Sequence, residues 1–340
     1  MRQRASQVKI TTRAKGIGVL GASVLLALGA AITWVQLGSG GPQAQAKSTE
    51  SLTIRDVDGG SDYFKGFPNS LPFDPSYFPI GVWKESLTDP ADAPKDRAVL
   101  INTYVELTGN SDISFATGVG SFALTEEPLA GAAGRVLSDE VDMWARGGNA
   151  DWTGSWPGTG EICSPANLGC GFTVQRELLK ALPAQTLVYS NYGKGVTFWE
   201  GDEYAATFVN DFQAFVSADN YWFTDPNICG PSEGGAVFAD GQVLEAGKCR
   251  LAANYGWTVS RLRSLIQPAM SKPVWAFVEV GHPFTENQAP TITGPEIRAA
   301  VWSSLIHGAR GSSTLITASG ATARRSTSSG TPAVRRSGPG

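Results

Sequence analysis

The chain has 340 residues, of which 42% are hydrophobic and 17% charged, and this composition excludes disorder over most of its length. Nine of the 27 basic residues lie before residue 16 or after residue 311, and these two end segments contain no acidic residue. The middle of the chain therefore has 18 basic residues and all 31 acidic residues. An acidic surface repels phosphate backbones, so the charge distribution excludes nucleic acid as a partner.

The first predicted element is an export signal. Residues 16–38 form 23 uncharged residues after five bases, long enough for a helix of about 20 residues across a bilayer. We predict that residues 1–46 are a basic cytoplasmic stub with a single-pass membrane anchor. The alternative is a cleaved signal peptide, because Ala44-Gln45-Ala46 gives a cleavage pattern. Both alternatives export residues 47 onward, to the outer face of the cytoplasmic membrane or into the medium.

The next segment, residues 47–75, is rich in Gly, Ser, Pro and Asp and is predicted to be a linker and approach segment. From residue 78 onward, short apolar runs alternate with amphipathic stretches, which indicates a parallel sheet covered by helices. We predict strands at 78–83, 100–106, 119–124, 135–139, 186–190, 220–224 and 274–279. We predict helices at 174–182, 204–216, 255–266 and 295–307.

This alternation predicts an α/β fold, a (β/α)8 TIM barrel over residues 76–311. An eighth strand is expected after the last helix, but residues 312–318 are a poor candidate. Residues 312–340 are low in complexity and predicted to be disordered. We interpret the change of composition after Gly311 as a replaced or out-of-frame C-terminus.

The four cysteines are an even set without a C-x-x-C pair, which favours disulfides over zinc in an exported protein. We predict two disulfides; the simplest of three connectivities joins Cys163 to Cys170 and Cys229 to Cys249. We predict no metal site and no cofactor.

Two glutamates end apolar strands, Glu140 after the fourth predicted strand and Glu279 after the seventh. Catalytic groups of such barrels come from the carboxyl ends of strands. Cleavage of a glycosidic bond needs one protonated acid at the leaving oxygen and one ionised carboxylate at the sugar ring. The two glutamates are therefore the predicted catalytic pair.

The positions of these glutamates resemble the retaining glycoside hydrolases with (β/α)8 barrels. FPIGVW at 78–83, INTYV at 101–105 and SDEVD at 138–142 are similar to exported barrel-type glycosidase-like proteins of actinobacteria. The resemblance implies that Glu140 is the acid/base and Glu279 the nucleophile. That family places Asn before the acid/base, whereas this chain has Asp139.

Several residues near the strand ends are predicted to bind substrate, either by stacking on sugar rings or by binding hydroxyl groups. These candidates are Asp139, Trp83, Trp144, Asn191, Tyr192, Trp222, Asp225 and His282.

The sequence thus predicts an exported glycoside hydrolase, with a polysaccharide or oligosaccharide as its partner and substrate. The alternative is a non-catalytic carbohydrate-binding or cell-envelope protein on a degenerate barrel. The sequence does not indicate an oligomeric state.

Overall fold

A computed structural model describes residues 55–281 and 291–315. Eight parallel strands form one sheet in the order β8-β7-β4-β3-β2-β1-β10-β9. These strands are β1 (Ile80–Trp83), β2 (Thr103–Val105), β3 (Phe122–Thr125), β4 (Gly134–Asp139), β7 (Val188–Tyr192), β8 (Phe215–Ala218), β9 (Ala276–Phe277) and β10 (Ser312–Leu315). A separate two-stranded antiparallel sheet consists of β5 (Asp151–Trp152) and β6 (Cys163–Ser164).

The sheet curls into a nearly closed barrel, which confirms the predicted fold class. A parallel bridge between Val216 and Val274 joins β8 to the segment before β9. Helices surround the strands: α1 (Asp92–Ala98), α2 (Ile113–Gly118), α3 (Val141–Trp144), α4 (Gly171–Lys180), α5 (Asp202–Asp211), α6 (Gly234–Phe238), α7 (Ala246–Cys249), α8 (Ala253–Leu265) and α9 (Gly294–Ile306). The four predicted helices correspond to α4, α5, α8 and α9.

The eighth strand, doubtful from the sequence, is present as β10 and pairs with both β1 and β9. The serines of this strand gave no apolar pattern from which a strand could be predicted. In the structure, backbone hydrogen bonds to both neighbouring strands hold it in the sheet. A Cβ added at Gly81 would lie 3.4 Å from the Ser312 carbonyl oxygen. There is thus little room for a larger side chain where β1 and β10 pair. The predicted disorder after residue 315 falls outside the described residues.

The sixth predicted strand, at 220–224, was wrong. The strand at this place is β8, Phe215–Ala218. The helix predicted at 204–216 covers both α5 and the first residues of this strand. Residues 219–224 therefore lie beyond the carboxyl end of β8, at the open end of the barrel.

Residues 55–75, the part of the predicted linker that the structure describes, cover the amino-terminal end of the barrel. Phe64 is buried and meets Phe215 edge to face at 5.8 Å. The buried carboxylate of Asp58 accepts two hydrogen bonds from Arg263 at 2.5 and 3.1 Å. Burial raises the pKa of Asp58, while Arg55 and Arg310 oppose the shift.

The barrel interior is filled by large side chains, one from each of β1–β4 and β7–β9. They are Trp83, Val105, Leu124, Val136, Tyr189, Phe215 and Phe277. A packed interior of this kind closes the channel, so any site lies at the rim.

Both predicted disulfides are confirmed, with Cα–Cα distances of 5.5 Å for Cys163–Cys170 and 5.6 Å for Cys229–Cys249. They fasten two long loops, one after β4 and one after β8. Among the helices described, none combines the length and the apolar character that a bilayer crossing requires. The predicted anchor at 16–38 lies outside the described residues.

If the segment before β1 belongs to the folded domain, truncating Phe64 will destabilise the whole barrel. We expect Phe64→Ala to lower the free energy of unfolding by about 3–5 kcal/mol, because it removes a buried ring and leaves a cavity. The matched control is Phe73→Ala, since Phe73 is 50% exposed and its loss should cost under about 1 kcal/mol. Urea denaturation of both variants measures the difference, and equal losses would contradict the assignment.

Candidate active site

Three neighbouring strands have polar residues at their carboxyl ends, at the open end of the barrel. Asp139, Asn191 and Ser217 lie side by side in register on β4, β7 and β8. The Asn191 side-chain amide donates to Asp139 at 3.0 Å, and its oxygen accepts from Ser217 at 2.5 Å. This row holds the Asp139 side chain in place through a hydrogen bond from the neighbouring strand.

Glu140 follows this row directly and is partly buried at the rim. Its backbone N–H donates to the Asn191 carbonyl oxygen at 2.9 Å, and its φ of 52° is left-handed. A Cβ added at Gly193 would lie 3.3 Å from a Glu140 carboxyl oxygen, so a glycine leaves the space for this side chain. Burial first, then the charges of Asp139 and Asp142, raise the pKa of Glu140 to about 7.

Asp219 is the site residue that the sequence prediction missed. It follows β8, its backbone N–H donates to the Tyr192 carbonyl oxygen at 3.0 Å, and its side chain is hydrogen-bonded to Glu140 and Tyr221. It is 4% exposed, and its Oδ1 has no hydrogen-bond partner among the described residues. Burial raises its pKa well above the ordinary range, and Glu140 and Asp139 add to the shift. Correct placement of β8 would have indicated it.

Asp142 holds the loop after β7 in place. Its fully buried carboxylate accepts from the backbone N–H groups of Gly193 at 3.1 Å and Val196 at 2.7 Å. Burial raises its pKa to about 7 against these donors. A short π-helix, Gly195–Trp199, starts at this anchor.

A second acidic group lies on the other side of Asp139, after β1, β2 and β3. Lys84 forms an ion pair with Glu106 at 3.3 Å and also interacts electrostatically with Asp139. Burial and the adjacent Glu126 raise the pKa of Glu106 to about 9. Lys84 and Glu106 share the left-handed backbone of Glu140, with φ values of 55° and 51°.

Glu279, just after β9, is 1% exposed and accepts three hydrogen bonds. Its donors are the Phe223 backbone N–H at 2.5 Å, the Thr224 hydroxyl and the Tyr255 hydroxyl at 2.6 Å. Burial raises the pKa of Glu279, and these donors oppose the shift.

Tyr221 interacts with Glu140 and with a hydrogen-bond donor of Glu279. It is hydrogen-bonded to Asp219 and interacts electrostatically with Glu140, while its ring meets Phe277 at 5.7 Å. It also interacts electrostatically with Tyr255, which donates to Glu279. The partners of Glu140 and Glu279 are thus neighbours on the rim.

Asp225, predicted to bind hydroxyl groups, is part of a buried cluster of charged side chains. Lys194 pairs with Asp225 and, at 2.9 Å, with Glu233. This cluster ties the loop after β7 to the loop closed by the Cys229–Cys249 disulfide.

Of the four aromatic residues predicted to bind substrate, one is partly buried and three are buried. Trp144 is partly buried beside Glu140, donates to the Asp139 carbonyl oxygen at 2.8 Å, and lies 5.5 Å from Trp156, which is 43% exposed. Trp83, Tyr192 and Trp222 are buried and packed against other side chains. Trp222, on the turn after β8, packs against Phe198 and Trp257, and its ring N–H donates to the Thr258 hydroxyl at 3.0 Å.

His282, the remaining candidate, lies outside the described residues. Within residues 55–281 and 291–315, no three His, Cys, Asp or Glu side chains form a group that could hold a metal ion.

The solved structures to which this chain is similar include two glycoside hydrolases and an aldolase, all at low identity. No protein-family model matches the sequence, and no curated protein is similar to it. A structure described as a glycoside hydrolase shares 12% identity at a TM-score of 0.37, covering 70% of this chain and 61% of that one. A family 5 glycoside hydrolase from Bacteroides vulgatus gives 9% and 0.38, covering 70% and 58%.

An HpcH/HpaI aldolase from Desulfitobacterium hafniense is as distant, with 9% identity and a TM-score of 0.34, covering 70% of this chain and 86% of that one. Such scores do not distinguish a hydrolase from an aldolase. The function must therefore be argued from the site.

The contact between Asp219 and Glu140 makes a measurable prediction. The hydrogen bond from Asp219 lowers the pKa of Glu140, so its loss in Asp219→Ala should raise that pKa above about 7. Asp219→Asn keeps a donor at this place and should leave the pKa nearly unchanged. Carboxyl ¹³C NMR titration, with Glu140→Gln to assign the signal, measures both; equal shifts in the two variants would contradict this role.

Proposed function

We propose that the chain is an exported glycoside hydrolase in which Glu140 is the proton donor and Glu279 is the ionised carboxylate. The observation that carries the proposal is the environment of Glu140. A carboxyl group at the carboxyl end of a barrel strand, with a pKa of about 7, still holds a proton near neutral pH. A general acid works best under this condition.

Glu279 has a contrasting environment that supports the second role. Three donors converge on its carboxyl oxygens, and hydrogen bonds to a carboxylate favour its charged form. Different environments for two carboxyl groups are the general way in which one site obtains an acid and a base. In this mechanism Glu140 protonates the leaving oxygen while Glu279 stabilises or attacks the sugar carbon.

The aromatic pair next to Glu140 supports a sugar as the substrate. Trp144 and the exposed ring of Trp156 offer apolar faces on which the C–H side of a sugar ring can stack. The two disulfides support export, because such bonds persist in oxidising compartments.

A non-catalytic carbohydrate-binding protein is the second candidate. It is favoured by the burial of Glu279, which is 1% exposed and has both oxygens engaged. Such a carboxylate could hold the loop after β8 and take no part in a reaction. Turnover separates the two candidates.

Removing the proton donor should abolish hydrolysis without unfolding the barrel. We expect Glu140→Gln to lower kcat by at least about 100-fold, since general acid catalysis contributes roughly that much or more. Reducing-sugar release from a panel of polysaccharides and oligosaccharides measures it. Glu203→Gln, an exposed position on α5, is the matched control. Wild type without activity on every substrate would favour the binding protein.

The pH dependence should reveal the same group. Only protonated Glu140 can donate, and its pKa is raised to about 7, so kcat/KM should fall about tenfold per pH unit above that value. Asp142 also has a pKa of about 7, so Asp142→Asn is the control; it should retain the alkaline fall but move it to lower pH, because the charge of Asp142 helps to raise the pKa of Glu140. A rate that stays constant between pH 6 and 9 would exclude Glu140 as the acid.

Glu279→Gln tests the nucleophile against an anchoring role. A nucleophile is needed in every turnover, so we expect a loss of at least about 1000-fold in kcat with substrate binding retained. Tyr255→Phe removes one of its donors and should lower activity far less. If Glu279→Gln lowers the melting temperature sharply and leaves kcat intact, its role is structural.

A further inference from the structure

The side chain of Arg250 spans the turn at 223–225, beyond the carboxyl end of β8. Its partly buried guanidinium donates to the Phe223 carbonyl oxygen at 2.6 Å and to the Asp225 carbonyl oxygen at 2.8 Å. The donors of a guanidinium have a fixed, forked geometry, so one arginine can hold both carbonyl groups at a set separation. Arg250 thereby restrains the backbone on both sides of Thr224.

This turn supplies two of the three hydrogen-bond donors to Glu279. The Phe223 backbone N–H donates to Oε1 of Glu279, and the Thr224 hydroxyl donates to Oε2. The third donor is the Tyr255 hydroxyl, which bonds Oε1 at 2.6 Å, and the Tyr255 ring lies 4.9 Å from that of Phe223. The position of the Glu279 carboxylate therefore depends on where the turn is held.

A disulfide holds Arg250 from its amino-terminal side. Arg250 directly follows Cys249, which is buried and bonded to Cys229. The Cys249 carbonyl oxygen accepts a hydrogen bond from the Asn254 side chain at 2.5 Å, and Asn254 precedes Tyr255 on α8. The three donors to the carboxylate are thus all connected to the chain around Cys249.

The buried cluster of charged side chains holds the same turn at a second point. Lys194 pairs with the carboxylate of Asp225 and, at 2.9 Å, with Glu233, which lies inside the disulfide-closed loop. Asp225 is therefore held at its carbonyl group by Arg250 and at its carboxylate by Lys194.

We infer that Arg250 is a positioning residue for Glu279, and that it transmits the restraint of the Cys229–Cys249 disulfide to this carboxylate through the turn at 223–225. The inference rests on the proposed function for the statement that Glu279 reacts, but not for the statement that its carboxylate is positioned in this way.

Replacing Arg250 tests the restraint without any measurement of hydrolysis. Loss of the guanidinium loosens two donors to Glu279, and hydrogen bonds to a carboxylate favour its charged form, so Arg250→Met should raise the pKa of Glu279. Arg250→Lys keeps the charge but not the fork and should give a smaller rise. Carboxyl ¹³C NMR titration of the full chain, with Glu279→Gln to assign the signal, measures both variants.

Arg146 provides the matched control. It is exposed and donates to the Asn167 carbonyl oxygen at 3.0 Å, inside the loop that the Cys163–Cys170 disulfide closes. Arg146→Met also removes an arginine from a disulfide-closed loop, yet it should leave the pKa of Glu279 unchanged.

The two disulfides give a second comparison, which remains decisive if the Arg250 variants do not fold. Cys229→Ser combined with Cys249→Ser should raise the pKa of Glu279. Cys163→Ser combined with Cys170→Ser should not.

Kinetics connect the positioning to turnover. A displacement of about 1 Å in a reacting group can lower the rate roughly 100-fold, so Arg250→Met should lower kcat by about tenfold or more with KM nearly unchanged. The acid limb of the kcat/KM profile should also move to higher pH, a change that loss of folded protein alone does not produce.

An unchanged pKa of Glu279 in Arg250→Met, or an equal shift in Arg146→Met, would overturn the inference. If the pKa rises as expected while wild type cleaves no substrate, the positioning role stands and the proposed hydrolase fails.

Discussion

Closure of the sheet is the constraint on which the rest of the structure depends. The pairing of β10 with β1 and β9, together with the bridge between Val216 and Val274, turns an open sheet into a ring. The eight strands of this sheet are parallel, so closure brings the carboxyl ends of β1–β4 and β7–β9 to one rim. The surroundings of Glu140 and Glu279, which are 139 residues apart in sequence, are thereby linked through Tyr221 and Tyr255.

The two glutamates at the rim differ in the hydrogen-bond donors around them. The carboxylate of Glu279 receives hydrogen bonds from a backbone N–H and two hydroxyls. Glu140 has another carboxyl as its neighbour and little to balance its charge. Burial raises the pKa of both glutamates; hydrogen-bond donors oppose this shift at Glu279, whereas the charges of Asp139 and Asp142 add to it at Glu140.

The sequence predicted the barrel well where apolar runs were separated by clear turns, as in β1–β4. It failed at β8, because α5 and β8 are joined by only a few residues and their apolar positions merge into one helical pattern. That single error hid Asp219 and suggested exposed roles for Trp222 and Asp225. The weak signal at β10 has another cause, since its first residues are serines and threonine, and the strand pairs through its backbone with β1 and β9.

The left-handed residues after β1, β2 and β4 carry a cost that bears on how such a rim evolves. Lys84, Glu106 and Glu140 each occupy a region of backbone space that glycine enters freely and other residues enter at about 1 kcal/mol or more. Selection for fold stability alone would drive these three positions toward glycine. Under the proposed function, the charged side chains at these strand exits supply chemistry at a cost in fold stability.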